Sequence, residues 1–255
     1  MSIFHALVLG FVQGITEFLP VSSSGHLILF PVLFGWNEQP LAFDAVIHLG
    51  TLGAILFALR DDLPRLIENK GRLSWIILAA SIPALGIGYL FQDQIESVLR
   101  SPLVVAASLA AWGMLLWIAD RGVKATAEPN ATRVGYRRAM FVGIAQAISL
   151  IPGTSRSGVT ITAGLFTGLS REAAARFSFL LGIPAIAAAG GMSLLHVMNG
   201  TEPVAAWPLL VGFIAAFASG VAAIRLLLRL LKTTSYVPFV VYRLALAVAV
   251  VLLLG

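Results

Sequence analysis

Polar side chains that can take part in chemistry are concentrated in two short tracts of an otherwise apolar chain. Residues 13–27 read QGITEFLPVSSSGHL, and residues 146–160 read QAISLIPGTSRSGVT. The first tract holds a carboxylate and an imidazole, Glu17 and His26, and the second holds the guanidinium of Arg156. An arginine surrounded by hydroxyl groups is typical of an anion site, and phosphate is the anion that fits it best.

Both tracts also carry hydroxyl side chains at the points where helices are predicted to begin. We expect helices to start just after Ser24 and Ser157, so that free backbone N–H groups and positive helix ends point into a shared cavity. The predicted substrate ligands are hydroxyl-bearing residues: Ser22, Ser24, Thr154, Ser155, Ser157 and Thr160. The alternative is that the serines only cap the helices and let them pack closely.

The two tracts are related copies. A shift of 133 residues superposes identical residues at six positions of a sixteen-residue window, where unrelated sequences would match about once. The identical pairs are Gly10 and Gly143, Gln13 and Gln146, Ile15 and Ile148, Ser22 and Ser155, Ser24 and Ser157, and Gly25 and Gly158. Polar, glycine-broken segments that recur in a membrane protein indicate a duplicated site near the middle of the membrane.

The composition of the chain is that of an integral membrane protein. Of its 255 residues, 58% are hydrophobic and only 11% are charged, whereas a soluble globular chain carries about 25% charged residues. The net charge of +5 does not indicate nucleic-acid binding, because the basic residues lie in short loops between apolar stretches. The absence of cysteine excludes a disulfide, a thiolate metal site and a cysteine nucleophile.

Six apolar stretches are long enough to cross a hydrocarbon core of about 30 Å. They lie near 43–59, 74–91, 102–119, 177–198, 207–224 and 237–254. Four shorter stretches are predicted to pair into two re-entrant helical hairpins, which enter and leave the membrane on the same side. These stretches are 2–19, 26–34, 139–151 and 159–169.

Three full spans separate the two hairpins, and an odd number of crossings inverts the second half relative to the first. We therefore predict an all-α polytopic membrane protein with an inverted-topology repeat, in which each half is one re-entrant helical hairpin plus three transmembrane helices. The chain is predicted to form a single membrane domain over 1–255, with repeat 1 at about 1–119 and repeat 2 at about 139–255.

The distribution of positive charge predicts the orientation. One set of loops holds 14 of the 17 lysines and arginines: Arg60, Arg65, Lys70, Arg72, Arg121, Lys124, Arg133, Arg137, Arg138, Arg171, Arg176, Arg225, Arg229 and Lys232. The opposite loops hold only Arg100. By the positive-inside rule the basic side is cytoplasmic, so both termini are predicted to be extracytoplasmic.

Six ionisable residues are predicted to lie within the membrane, and each is a candidate for function because burial there is costly. They are Glu17, His26, Asp44, His48, Arg156 and Arg243. Four of these residues also have a purely structural interpretation. Arg156 would pair with Glu17, and Asp44 would cap its span. His48 would make an interhelical hydrogen bond, and Arg243 would be a counter-charge. Gln13 and Gln146 have a similar alternative, as hydrogen-bonding links between helices.

Several motifs resemble those of a known family. They are the segments at 13–17 and 20–26, the PGTSRSG segment at 152–158, FDAVIHLGT at 43–51 and YRLAL at 242–246. Together they resemble the undecaprenyl-pyrophosphate phosphatase family of the bacitracin-resistance type, over the whole chain. The resemblance implies hydrolysis of undecaprenyl pyrophosphate to undecaprenyl phosphate and inorganic phosphate, which recycles the lipid carrier of cell-envelope synthesis in the bacterial inner membrane.

The resemblance also implies a set of site residues and a divalent cation, Mg²⁺ or Ca²⁺. Glu17, Ser23, His26 and Arg156 match the catalytic positions, and Ser155 and Thr160 match further positions that the family uses. Glu17 is the expected metal ligand, with Gln13 assisting it. Because many members have glutamate where this chain has Gln13, we expect weaker metal binding here.

Three alternatives for the attacking group remain open at this point. Ser23 attacks with His26 as its base, since the two are three positions apart at a helix start; His26 attacks directly; or His26 activates a water. A second function class also remains, because a transporter or flippase of an anionic lipid or small anion has the same architecture. The expected partners are a polyprenyl pyrophosphate lipid and the bilayer, without nucleic acid, and a homodimer is left open.

Overall fold

A computed structural model describes residues 1–37, 39–91, 101–199 and 205–254. In these residues the chain forms ten α-helices: α1 (Ile3–Phe18), α2 (Ser23–Phe34), α3 (Leu41–Ala58), α4 (Pro64–Leu90), α5 (Pro102–Arg121), α6 (Tyr136–Ala147), α7 (Arg156–Phe166), α8 (Arg171–Asn199), α9 (Ala206–Leu230) and α10 (Val237–Leu254). Short 3₁₀ turns lie at Ala131–Arg133 and Ile148–Leu150. Arg100, predicted for the less basic side, lies outside the described residues.

The predicted spans correspond to helices α3, α4, α5, α8, α9 and α10. Five of these contain stretches long and apolar enough to cross a membrane, at Leu41–Ala58, Gly71–Leu90, Pro102–Arg121, Arg171–Met192 and Ala206–Leu230. The prediction of a polytopic, all-α membrane protein is thereby confirmed in this coarse form. Helix α10 belongs with the shorter apolar helices in its described part, Val237–Leu253, and stays a predicted span.

The four shorter apolar stretches form two packed helix pairs, α1 with α2 and α6 with α7. Residues 19–22, the first tip, connect one pair, and residues 148–155, the second tip, connect the other. The predicted helix starts are two residues too late, since α2 begins at Ser23 and α7 at Arg156. The reason is that Ser22 and Ser155 are the N-caps, and each accepts a hydrogen bond from the N–H of the glycine three residues on.

Both N-cap serines have a backbone conformation that is rare outside glycine. Ser22 has a φ of 75° and Ser155 a φ of 72°, and they are the non-glycine residues with positive φ in the described chain. Such residues cost about 1–3 kcal/mol each and cluster at functional sites. The prediction that the serines cap these helices is confirmed for this equivalent pair.

The two halves of the chain pack into each other rather than side by side. Helix α1 packs against α9, and its counterpart α6 packs against α4. Helices α3 and α8 pack together, as do α5 and α10. The repeated glycines allow the close contacts of α1 with α9 and of α6 with α4. A Cβ on Gly10 would meet the carbonyl oxygen of Gly212, and a Cβ on Gly143 would meet that of Ala80.

A buried carboxylate joins three helices at one end of the bundle. Asp120 accepts a hydrogen bond from Arg171 Nε at 2.5 Å and from the backbone N–H of Tyr236 at 3.2 Å. Burial, together with the charge of Asp120, raises the pKa of the Tyr236 hydroxyl, which donates to the Arg171 carbonyl at 3.0 Å. The end of α5 and the starts of α8 and α10 are therefore held together at this point.

Candidate active site

The carboxylate of Glu17 is the centre of the first half of the site. It lies in the last turn of α1 and is buried. Its Oε2 accepts a hydrogen bond from Ser23 Oγ at 2.7 Å and from Gln13 Nε2 at 3.2 Å. Ser23 is the first residue of α2. The turn at the first tip therefore brings the start of α2 back to the carboxylate at the end of α1.

The second half of the site contributes the opposite charge. Arg156, the first residue of α7, places Nη2 at 2.7 Å from Glu17 Oε1. Its Nη1 donates to the carbonyl of Ser178 on α8 at 3.2 Å. The ion pair that the sequence suggested as a structural alternative therefore exists, and it is also the contact that brings the two sequence tracts together.

The hydroxyl groups around Arg156 fix its position. Thr160 Oγ1 donates to the Arg156 carbonyl at 2.8 Å and lies 2.6 Å from Ser178 Oγ, which can then donate to it. Ser157 Oγ donates to the carbonyl of Leu19 at 3.1 Å, directly from the second tract to the first tip. Thr160 therefore fixes the backbone of Arg156, and Ser157 joins the two tips.

The remaining predicted hydroxyl ligands form local pairs within their own tracts. Ser22 and Ser24 have their Oγ atoms 3.3 Å apart, and the equivalent Ser155 and Ser157 have theirs 3.2 Å apart. The hydroxyl of Thr154 donates to the carbonyls of the preceding turn, at Ile148 and Ile151. Of these residues Ser24 is exposed, whereas the others are buried.

Arg243 on α10 is fully buried and binds both tips. Its guanidinium donates to five backbone carbonyls, those of Pro20 at 3.1 Å, Gly153 at 3.1 Å, Thr154 at 3.0 Å, Leu109 at 3.1 Å and Ser108 at 3.4 Å. None of the ion pairs found among the described residues includes Arg243. The interpretation of Arg243 as a counter-charge therefore finds no ion pair in the described part of the chain, where backbone carbonyls of the tips and of α5 satisfy the guanidinium.

The imidazole nitrogens of His26 bond to residues other than Ser23. Its Nδ1 lies 2.7 Å from the carbonyl oxygen of Ser22, and its Nε2 lies 2.6 Å from the hydroxyl of Tyr242. The spacing of three residues does bring Ser23 and His26 to the same end of α2, but the imidazole turns back to the capping residue of its own helix. Glu17, rather than His26, receives the hydroxyl of Ser23.

Asp44 and His48 both lie on α3, and His48 differs from its structural alternative. Asp44 lies in the first turn of α3, but the N-cap is Pro40 and makes no side-chain cap. The Nδ1 of His48 bonds to the Asp44 carbonyl at 2.6 Å, within the same helix, because the carbonyl four residues back is the nearest acceptor. Helix α3 also packs against α1, so it borders the first half of the site.

The two repeated glutamines have different surroundings. Both are buried. Gln13 bonds through its nitrogen to Glu17 on its own helix, and its Oε1 has no partner among the described residues. Neither polar atom of the Gln146 side chain has a hydrogen-bond partner among them. The proposed role as hydrogen-bonding links between helices is therefore not seen for either residue in the described part of the chain.

Three residues of the site were missed from the sequence. Ser178 binds Arg156 and Thr160, and Gly182 leaves room for Arg156, since a Cβ there would meet its guanidinium. Neither position carries a pattern that distinguishes it from the rest of an apolar helix. Tyr242 did carry a signal, because it opens the YRLAL motif, but its contact with His26 spans 216 residues of sequence.

Comparison with known proteins places this chain in a family. The family described as bacitracin resistance protein BacA matches residues 6–249. The chain belongs to this family. The resemblance read from the motifs is thereby confirmed, and the match covers both hairpins and the spans between them.

Relatives within the family are similar over their full length. Undecaprenyl-diphosphatase 2 of Stutzerimonas stutzeri is 44% identical, with all of both chains covered. The undecaprenyl-diphosphatase of Nitrosococcus oceani is 44% identical over 96% of this chain and 97% of its own length. That of Chromohalobacter salexigens is 42% identical over 96% of each.

Removing the Arg243 guanidinium should destabilise both tips at once. We expect Arg243→Met to lower the midpoint of thermal unfolding of the detergent-purified protein, because several buried carbonyls lose their donors at about 1–3 kcal/mol each. Arg229→Met, at an exposed position near the end of α9, is the matched control and should leave the midpoint unchanged. An Arg243→Met protein that unfolds at the temperature of the unsubstituted protein would contradict this role.

Proposed function

We propose that this chain hydrolyses undecaprenyl diphosphate to undecaprenyl phosphate and inorganic phosphate, and so recycles the lipid carrier of cell-envelope synthesis. One observation carries the proposal: the Glu17 carboxylate bonds both to Arg156 of the second tract and to the Ser23 hydroxyl, each at 2.7 Å. An anion ligand, a base and a hydroxyl nucleophile therefore lie together. The names of the relatives support the same reaction, and the family name associates it with bacitracin resistance.

The diphosphate binds by taking over the hydrogen bond that Arg156 gives to Glu17 in the free protein. Arginine binds phosphate through two parallel N–H donors, and the free N–H groups at the starts of α2 and α7 add positive potential at the same place. Stabilisation of negative charge on the transferring phosphoryl group is the largest contribution expected for this chemistry. Binding of the substrate thus releases the carboxylate for its next role.

Glu17 then acts as the base for Ser23, in preference to His26. The hydrogen bond from Ser23 to Glu17 is already formed, whereas the nitrogens of His26 bond to Ser22 and Tyr242 rather than to Ser23. As Ser23 Oγ bonds to the terminal phosphorus, its proton moves to Glu17 and the bond to the undecaprenyl phosphate oxygen breaks. Water then attacks the phosphoserine, inorganic phosphate leaves, and the proton returns to Ser23.

The residues beside Glu17 fit a divalent cation that is shared with the substrate. Mg²⁺ commonly binds one or two carboxylates together with substrate phosphates, and the described residues contain no cluster of three acidic or histidine side chains that would hold a metal alone. The buried Oε1 of Gln13, which lacks a partner in the described chain, is a suitable second ligand beside Glu17. The cation supplies charge neutralisation at the phosphate oxygens when it is bound.

A transporter of an anionic lipid is the second candidate function. Its support is the architecture of broken helices around a buried anion site. A transport site does not require a serine hydroxyl bonded to a carboxylate, and this contact therefore favours the phosphatase. The site draws each of these residues from one chain, so the proposed reaction does not depend on a homodimer.

An inverted repeat accounts best for the paired features of the two halves. The caps at Ser22 and Ser155 have matching conformations, and the contact of α1 with α9 has its counterpart in that of α6 with α4. Together with the charge distribution, these features support the proposal that both termini are extracytoplasmic and that the hairpins enter from opposite faces. The bacterial inner membrane is the location that this arrangement and the proposed substrate fit.

Removing the arginine should abolish the reaction without unfolding the protein. We expect purified protein in detergent to release inorganic phosphate from undecaprenyl diphosphate, and Arg156→Ala to lower the turnover about 100-fold or more. Arg229→Ala, outside the site, should retain full turnover. Because detergent removes any gradient, an unsubstituted protein that binds the lipid but releases no phosphate would favour the transporter instead.

Metal dependence tests the pair of Glu17 and Gln13. We expect EDTA to abolish phosphate release and added Mg²⁺ or Ca²⁺ to restore it. Gln13→Glu adds a second carboxylate, and should lower the cation concentration for half-maximal activity roughly tenfold. Full turnover in EDTA, or a Gln13→Glu variant with an unchanged cation requirement, would contradict this assignment.

Single cysteines test the inverted arrangement, since the chain contains none of its own. Ser2→Cys and Ala125→Cys lie at exposed positions before α1 and before α6 respectively. We expect a membrane-impermeant maleimide to label Ser2→Cys in intact spheroplasts, and Ala125→Cys only after permeabilisation. Labelling of both from the same side would exclude opposite orientations of the two hairpins.

A further inference from the structure

His26 and Tyr242 form a hydrogen-bonded pair that the reaction proposed above does not use. The imidazole belongs to α2 and is 4% exposed, whereas the phenol belongs to α10 and is 45% exposed. Their rings are stacked, with centroids 5.7 Å apart and planes inclined by 6°. Nε2 and the phenol oxygen are 2.6 Å apart, which is a short hydrogen bond.

The contacts of the ring determine which nitrogen carries its proton. A carbonyl oxygen only accepts hydrogen bonds, so the 2.7 Å contact with Ser22 requires a proton on Nδ1. In the neutral ring the lone pair is then on Nε2, and the Tyr242 hydroxyl donates to it. The imidazole is thereby held in one tautomer, with its accepting nitrogen directed at the phenol.

The backbone around Tyr242 is itself fixed by the site. The next residue, Arg243, donates to carbonyls of both tips, including those of Pro20 and Gly153. Ser22, which accepts from Nδ1, is the N-cap of α2 and belongs to the first tip. Both partners of His26 are therefore anchored at the place where the tips meet, and Tyr242 is the residue that connects the buried imidazole to the protein surface.

We propose that Tyr242 is a positioning residue for His26, which holds the imidazole in the Nδ1–H form with Nε2 ready to accept a proton in the reaction. The proposal rests on the proposed phosphatase function. Glu17 serves Ser23, and His26 is left to serve the water that completes the hydrolysis, in line with general base catalysis by a neutral imidazole. The hydroxyl of Tyr242 donates to Nε2 in the free protein. In the reaction the attacking water replaces it as the donor to that nitrogen.

Tyr242→Phe removes the hydroxyl and keeps the stacked ring. We expect it to lower kcat roughly tenfold, the effect of one lost hydrogen bond, with KM changed less than about twofold because the anion ligands are untouched. Diethyl pyrocarbonate, which modifies unprotonated imidazole nitrogens, should react several-fold faster with His26 once Nε2 is uncovered. Peptide mass spectrometry separates His26 from the other three histidines.

Two further variants separate positioning from other roles. In a His26→Gln background, adding Tyr242→Phe should cost no further kcat, because the phenol acts only through the imidazole. Tyr136→Phe, the same change at an exposed residue at the start of α6, is the matched control and should change neither kcat nor the modification of His26.

Several results would overturn the proposal. A second loss of kcat in the double variant would give Tyr242 a role independent of His26. If Tyr242→Phe changed only kcat, or only the modification rate of His26, Tyr242 would not act on the reaction through His26. An unsubstituted protein that releases no phosphate would instead overturn the proposed function, and the modification rate of His26 would still decide whether the hydrogen bond exists.

Discussion

The buried guanidinium of Arg243 is the interaction on which the rest of the site depends. A charge without water must be surrounded by hydrogen-bond partners, and a turn between two helices leaves carbonyls that have no partner in either helix. These two requirements meet at one residue, which donates to Pro20 of the first tip and to Gly153 and Thr154 of the second. Three hydrogen bonds from Arg243 therefore hold together two tips that are 133 residues apart in sequence. Its other two hydrogen bonds go to carbonyls of α5.

Glu17 and Arg156, the charges proposed for catalysis, are stabilised in a different way, and the difference suits their proposed roles. Glu17 and Arg156 neutralise each other across the tips, which makes both tolerable without substrate. An ion pair can be exchanged for another, so an incoming diphosphate can compete for the arginine, whereas bonds to backbone carbonyls cannot be exchanged without unfolding the tip. Arg243 is therefore suited to hold the structure and Arg156 to bind ligand, although both are arginines in a membrane.

The two copies keep the same scaffold and differ in chemistry. Ser22 and Ser155 cap their helices in the same unusual conformation, and each hairpin packs against a span of the other half. At the position of Glu17 the second copy has Leu150. Gln146 is consequently buried beside no such carboxylate and lacks a hydrogen-bond partner in the described chain, while Gln13 retains one.

The sequence by itself determined the apolar helices and the two polar tips, because these follow from local features: hydropathy, short interrupted stretches and a repeat. Its motifs also supplied most of the residues proposed for the site. It placed the helix starts two residues late, since the cap depends on which serine takes a positive φ. Only the tertiary structure decided that Ser23 bonds to Glu17, that Arg243 binds carbonyls and that His26 meets Tyr242. The reason is that each of these pairings depends on where the chain returns to itself, and neither spacing nor composition encodes which neighbour a buried polar group will find.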